Sequence, residues 1–352
     1  MRDTTLRLAL IALGLATVQG AQGAGAQVQK AWGPVPAPRE GVFVEAAPRT
    51  DGTVLAATGN AVFLLGPGGT LKPLGSGDRA ELDPAGGAYG LWKQQSFEIF
   101  DASGASLGSL PAPPFARFKL AAGGKVVYAP RIEVRREEPW VESLRLVRPD
   151  GAVLSELPAA GLEISRLETD RIVYTLPTSL SARTPDGQEL WSISLQVHKF
   201  ESAANRTILG PRYVPGRVVH LDKGRQLAET PVEGVVWNLA IAPDGRLSAA
   251  TTRTLLYVFQ DGKRTAQVQL PVTYANSLAV SERGLVLVGG QGARGEGRLL
   301  LYDRLGKLLW QGEAGVDRGG YRPTVLFAPG GSRFAVLEQR GLSVYDVQGG
   351  QP

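Results

Sequence analysis

The 352-residue chain is 43% hydrophobic, carries 45 Gly and 24 Pro, and balances 38 basic against 33 acidic residues for a net charge of +5. That small excess argues against a basic nucleic-acid face, and the complete lack of Cys excludes disulfides and a lipid-bearing N-terminal cysteine. Abundant Gly and Pro without a long amphipathic helical pattern predict many short strands joined by turns, folded as one domain.

The chain opens with Arg2 and Arg7, an apolar run from Leu8 to Val18, and small residues ending at Ala26. This predicts a signal peptide over 1–26, cleaved near Gln27; the apolar run falls short of the roughly twenty residues of a membrane anchor, and no later stretch could span. A soluble periplasmic or secreted protein is expected. Next, QVQKAWGPVPAP (Gln27–Pro38) holds a short strand before a proline-rich exit.

From there one unit recurs. Its clearest copy is LLLYDRLGKLLW (Leu299–Trp310), an apolar strand, a turn on Gly306 and a second apolar strand. Equivalent turns fall at Gly69, Gly104, Gly151, Gly187, Gly224, Gly262 and Gly349, and a second series precedes them at Gly52, Gly86, Gly123, Asp170, Asn205, Gly245, Gly284 and Gly330. Two hairpins per period of about forty residues make a four-stranded antiparallel blade. The expected architecture is all-β, an eight-bladed β-propeller over 27–352. Predicted blades run from Val42 to Gly75, Arg79 to Pro111, Phe115 to Pro158, Leu162 to Leu195, Gln196 to Val232, Val235 to Val272, Tyr274 to Ala314 and Arg322 to Gly350. The last lacks a fourth strand, so Val28 to Trp32 is expected to close the ring.

Two blades carry insertions between their second and third strands. In blade three RIEVRREEPWVES groups Arg131, Glu133, Arg135, Arg136, Glu137, Glu138 and Trp140, either a solvated hairpin extension or a partner anchor. In blade seven GGQGARGEG reads as a hairpin tip, since no helix start or Lys-Ser/Thr pair follows to make a phosphate loop. Trp191 and Trp310, equivalent positions after Gly187 and Gly306, are expected to pack between blades.

Asp303 to Trp310 (DRLGKLLW), more weakly echoed at Pro185 to Trp191, resembles the tryptophan-docking repeat of the quinoprotein-like (PQQ-like) eight-bladed propellers. The repeat pattern covers nearly all of 27–352. The resemblance implies the fold; its members include quinone-dependent dehydrogenases and non-enzymatic propellers, outer-membrane assembly lipoproteins among them. The dehydrogenases' adjacent cysteines have no counterpart here, no calcium-site constellation can be matched, and the lipid-bearing Cys is missing. The non-enzymatic branch is therefore expected, with no cofactor and no metal. WD40-like propellers are a looser match, since Gly-His and Trp-Asp dipeptides are lacking.

Chemistry-bearing motifs are few. His198 and His220 lack the paired spacing of a zinc site, and no Gly-x-Ser-x-Gly elbow is present. Aligning first strands on their turns brings Glu45, Arg79, Arg117, Glu163, His198, Asn238, Ser277 and Thr324 to one position per blade, around the channel mouth. Either strand starts are polar because they face water, or this ring, with Trp237, Asn276, Tyr321 and Arg322 nearby, binds a small polar ligand or a peptide loop. The expected function is a non-catalytic platform for an envelope or extracellular protein, acting as a monomer; the alternative is a channel-site enzyme, a quinone-dependent oxidoreductase or a propeller lyase or hydrolase.

Overall fold

A computed structural model describes residues 26–38, 41–113, 117–135, 138–158, 163–167, 170–176, 178–211, 216–315, 323–339 and 341–349. The signal-peptide reading, apart from Ala26, lies outside the described residues, as do Tyr321 and Arg322. Among the described residues, thirty-two strands form eight sheets of four, each antiparallel throughout. The blades follow one another around a ring, and the first strand of blade one, Glu45–Pro48, lies beside that of blade eight, Thr324–Phe327.

Blade eight is completed from the other end of the chain. The N-terminal strand Gln27–Val35 pairs antiparallel with Gly341–Gln348, from Gln27 opposite Gln348 to Val35 opposite Leu342. The expected closure is thus what the structure shows, and it joins the two chain ends by backbone hydrogen bonds.

Why the strands lack clean polar alternation follows from where the core lies. Among the described residues there are eight apolar clusters, one at each blade–blade interface, so both faces of the blades are buried. Leu285, Val286, Leu287 and Val288 illustrate this. All four are fully buried, Val286 and Val288 towards blade six, Leu285 and Leu287 towards blade eight.

The turns explain the Asp-x-x-Gly signature. Asp101 Oδ1 accepts from Ser103 N at 2.8 Å and Ala105 N at 2.9 Å, and Asp303 Oδ1 accepts from Leu305 N at 2.9 Å and Lys307 N at 2.8 Å. The carboxylate replaces the backbone partners that a tight turn leaves unpaired. Gly104 and Gly306 then take φ of 97° and 77°, values that favour glycine. In blade four Thr184 does the same work through its hydroxyl, which accepts from Gln188 N at 3.0 Å.

In blades two to seven the fourth strand carries a bulge just after its turn, for example between the partners of Ala182 and Arg183 and of Leu301 and Tyr302. The bulge twists an outer edge that would otherwise invite pairing with another chain. It also aims the tryptophans. Trp191, opposite Ala182, lies against Gly224 in the next blade's turn, where an added Cβ would stand 2.7 Å from its ring. Trp310, opposite Leu301, packs 6.0 Å from Phe334 and 5.7 Å from Tyr345 of blade eight.

A third tryptophan occupies this position. Trp32, opposite Val344 and next to the bulge in the closing strand, is buried against blade one and points at Gly69. The repeat conceals it, because its strand is separated from its own blade by most of the chain.

Candidate functional site

Antiparallel topology gives the ring two faces. One carries the starts of the first strands and the hairpins between second and third strands; the other carries the glycine turns. The long hairpins of blade three, Val126–Arg135 with Glu138–Val147, and of blade seven, Leu285–Gln291 with Gly297–Asp303, both rise on the first face, four blades apart. Side chains at the tip of the blade-three hairpin, Trp140 included, lie outside the described residues.

The aligned polar residues fall at different points of their strands. Glu45, Arg79, Glu163, Asn238 and Thr324 begin their strands, Arg117 lies two residues before its strand, His198 is second and Ser277 fourth. His198 falls in a bulge between Val197 and Lys199, and Asn276 in one between Ala275 and Ser277. Such bulges re-aim neighbouring side chains. Arg117, His198 and Thr324 are exposed, and the Glu163 side chain is outside the described residues.

Several of these residues turn sideways into the next blade. Glu45 Oε2 accepts from Leu82 N at 3.1 Å, Asn238 Nδ2 donates to Ala275 O at 2.9 Å, and Ser277 Oγ accepts from Val325 N at 3.0 Å. Each links the first strands of consecutive blades. Asn238 Nδ2 also reaches Thr251 Oγ1 at 3.0 Å, whereas Asn276 Nδ2 is buried without an acceptor among the described residues.

Blades one to three add charge to these links. Glu81, 2% exposed in the first strand of blade two, bonds Lys119 Nζ of blade three, with Arg79 Nη2 at 4.0 Å and the Glu45 carboxylate nearby from blade one. Burial first, then repulsion from Glu45, pushes the Glu81 carboxyl up to about 6, against the pull of Lys119 and Arg79. Arg79 also lies over the Trp92 ring, 5.1 Å from its centroid.

Blades five to seven are built otherwise. Trp237, immediately before the first strand of blade six, is 46% exposed, and its neighbour Val235 is 52% exposed. The Trp237 and Tyr274 rings stand 6.1 Å apart. Arg253 from the blade-six hairpin places its guanidinium 4.4 Å from the Tyr274 ring centroid and donates to the Tyr274 hydroxyl at 3.0 Å. Lys199 Nζ donates to Trp237 O at 2.7 Å. The rim thus groups two cations with two aromatic rings. Both cations spend their hydrogen bonds on neutral oxygens, and among the described residues neither forms an ion pair.

Sequence reasoning named Trp237 and left out Lys199, Arg253 and Tyr274. Lys199 follows His198 directly, and the bulge decides which of the two faces the rim. Arg253 lies in a hairpin with no place in the alignment of first strands.

Two deeper features complete the inventory. On the turn face the channel holds a cavity of about 410 Å³, walled by first strands of blades six to eight and rimmed by Pro48, Pro84, Pro243 and Pro329. His220 is buried between blades five and six, its Nε2 2.9 Å from Ser248 Oγ and its ring 4.7 Å from Phe259. Burial, helped by Arg206, lowers it to about 4. Among the described residues no three His, Cys, Asp or Glu side chains gather as a metal site, and no helix is long and apolar enough to cross a membrane.

No protein-family model and no curated protein matches the chain. Solved structures do. The computationally designed Ika8 protein superposes with a TM-score of 0.64 at 14% identity, covering 90% of this chain and 99% of that one. BamB from Moraxella catarrhalis gives 0.62 at 11%, covering 91% and 100%, and Hsv2 from Kluyveromyces lactis 0.57 at 12%, covering 77% and 97%. At these identities the likeness is one of fold: the chain is an eight-bladed β-propeller, similar in architecture to BamB.

Proposed function

We propose that this chain is a non-catalytic binding platform of the periplasm or cell exterior, and that it docks an envelope protein on the face carrying the strand starts. The observation that carries this reading is the exposed Trp237 and Val235 beside the half-buried Tyr274, with Lys199 and Arg253 adjoining. Exposed aromatics beside Arg are the side chains that dominate protein interfaces. Meanwhile Glu45, Asn238 and Ser277 are committed to linking blades, which favours the rim over the channel as the place of recognition.

The test is a crosslinking pull-down from envelope extract with the protein and a folded Trp237→Ala/Arg253→Glu variant. A partner captured by the first and lost by the second is expected. Equal capture by both would move the docking face elsewhere, and capture by neither would remove the platform reading.

A further inference from the structure

We infer that the turn-face end of the channel is a binding site for a small organic cation, a primary ammonium group carried on an apolar body. The inference goes beyond the platform reading, which concerns the opposite face and leaves this end of the channel without a role.

The cavity there, about 410 Å³, is of the size that encloses a small ligand. Leu239, Leu278 and Phe327, from the first strands of blades six, seven and eight, give it apolar walls. Leu278 and Phe327 are only half-buried, so part of that apolar surface still faces water. A hydrocarbon body entering the cavity covers it, and burial of apolar area favours binding whatever the ligand's exact shape.

The polar groups select the sign of the ligand's charge. Among the described residues the cavity is bordered by two carboxylates, Glu201 of blade five and Glu282 of blade seven, and by no Lys or Arg. Glu201 is half-buried and already engaged in an interaction, whereas Glu282 is exposed and forms no ion pair among the described residues, which makes it the partner for an arriving cation. Glu282 also borders a groove lined by Arg246, Arg283 and Arg304. It pairs with none of them: Arg246 lies 3.6 Å from Asp261, and Arg283 donates to the carbonyls of Val347 and Gly349 at 3.3 and 3.1 Å. The proline rim acts in the same direction, since Pro48, Pro84, Pro243 and Pro329 have backbone carbonyls to accept hydrogen bonds and no N–H to donate. An ammonium group therefore meets acceptors and negative charge, and an anion meets neither a donor nor a cation from these residues.

The probe is cyclohexylmethylammonium, titrated into the protein at neutral pH and read by ligand-observed NMR, with cyclohexylmethanol and cyclohexanecarboxylate as neutral and anionic counterparts of the same body. Saturable binding of the ammonium is expected, with the alcohol about fivefold weaker, the weight of one exposed ion pair, and no binding of the carboxylate. Glu282→Gln should weaken the ammonium about fivefold and leave the alcohol unchanged, and Leu278→Trp, which fills the cavity, should abolish both. Methylammonium, which has no apolar body, should not saturate, and Trp237→Ala, on the strand-start face, should change nothing. Equal binding of alcohol and ammonium, an unchanged ammonium-to-alcohol ratio in Glu282→Gln, or no saturation at millimolar cyclohexylmethylammonium overturns the inference. So does loss of binding in Trp237→Ala, which would place the cation on the aromatic rim instead. The Glu282 side chain is exposed, so its variant reads the charge whether or not Leu278→Trp folds. The pull-down reads the strand-start face through Trp237 and Arg253, so either reading can fail without the other.

Discussion

Blades one to three and blades five to seven solve the same problem with different chemistry. Both must join first strands across a seam. On one side the seam holds a buried carboxylate, Glu81, between Lys119, Arg79 and Glu45; on the other it holds the neutral Asn238 and Ser277. The charged seam pairs its cations with Glu81, although the Lys119 and Arg79 side chains stay 56% and 41% exposed. The neutral seam leaves Lys199 and Arg253 bonded to neutral oxygens beside the exposed Trp237.

The strongest way to break this comparison is at the junction between blades eight and one, where the two sides meet. Trp32→Ala should cost about 3–5 kcal/mol, as for a large aromatic removed from a core, and deletion of Gln27 to Gly33 should lower the melting temperature sharply; an unchanged transition would mean the strand does not close the ring.

Acidity separates the two sides. Glu81 titrates in the folded protein near 6 rather than near 4.5, so its folded form binds the extra proton between those values. Its contribution is fully present below about 4.5 and lost as the pH rises through 6, about 2 kcal/mol in all. His220 works in the opposite sense: lowered to about 4, it contributes stability above about 6.5 that is lost as the pH falls through 4. The two slopes offset each other between 4.5 and 6. In a Glu81→Gln variant denaturant unfolding should therefore show stability falling more steeply on acidification than in the parent, and parallel curves would remove Glu81 from the account.

Smaller effects sharpen the contrast. Ser277→Ala removes one neutral link, leaving Val325 N without its acceptor, and should cost about 1 kcal/mol at every pH from 5 to 8. A pH-dependent loss would mean that the neutral seam is electrostatically coupled after all. Smallest of all, Arg253→Gln should change stability by no more than about 0.5 kcal/mol; a larger change would make Arg253 a structural residue rather than a binding one.

Much of the fold was legible because its causes are local. Gly306 and Gly104 need positive φ, Asp303 and Asp101 cap their own turns, and both facts lie within five consecutive residues. The candidate site was less legible because its causes are not. Aligning strands by counting back from the turn found Asn238 and Ser277, but their side chains run along the ring to the next blade, and bulges at His198 and Asn276 shift the count.

By itself the sequence determined the number of blades, the recurring glycine turns and the need for a closing strand, since backbone conformation and hydrophobic runs are properties of short segments. Only the tertiary structure decided that Trp32 docks like Trp191 and Trp310, that Glu81 is buried between neighbouring blades, and that Lys199, Trp237, Tyr274 and Arg253 share one rim. These depend on which residues, far apart in the chain, the closure of the ring brings within a few ångströms.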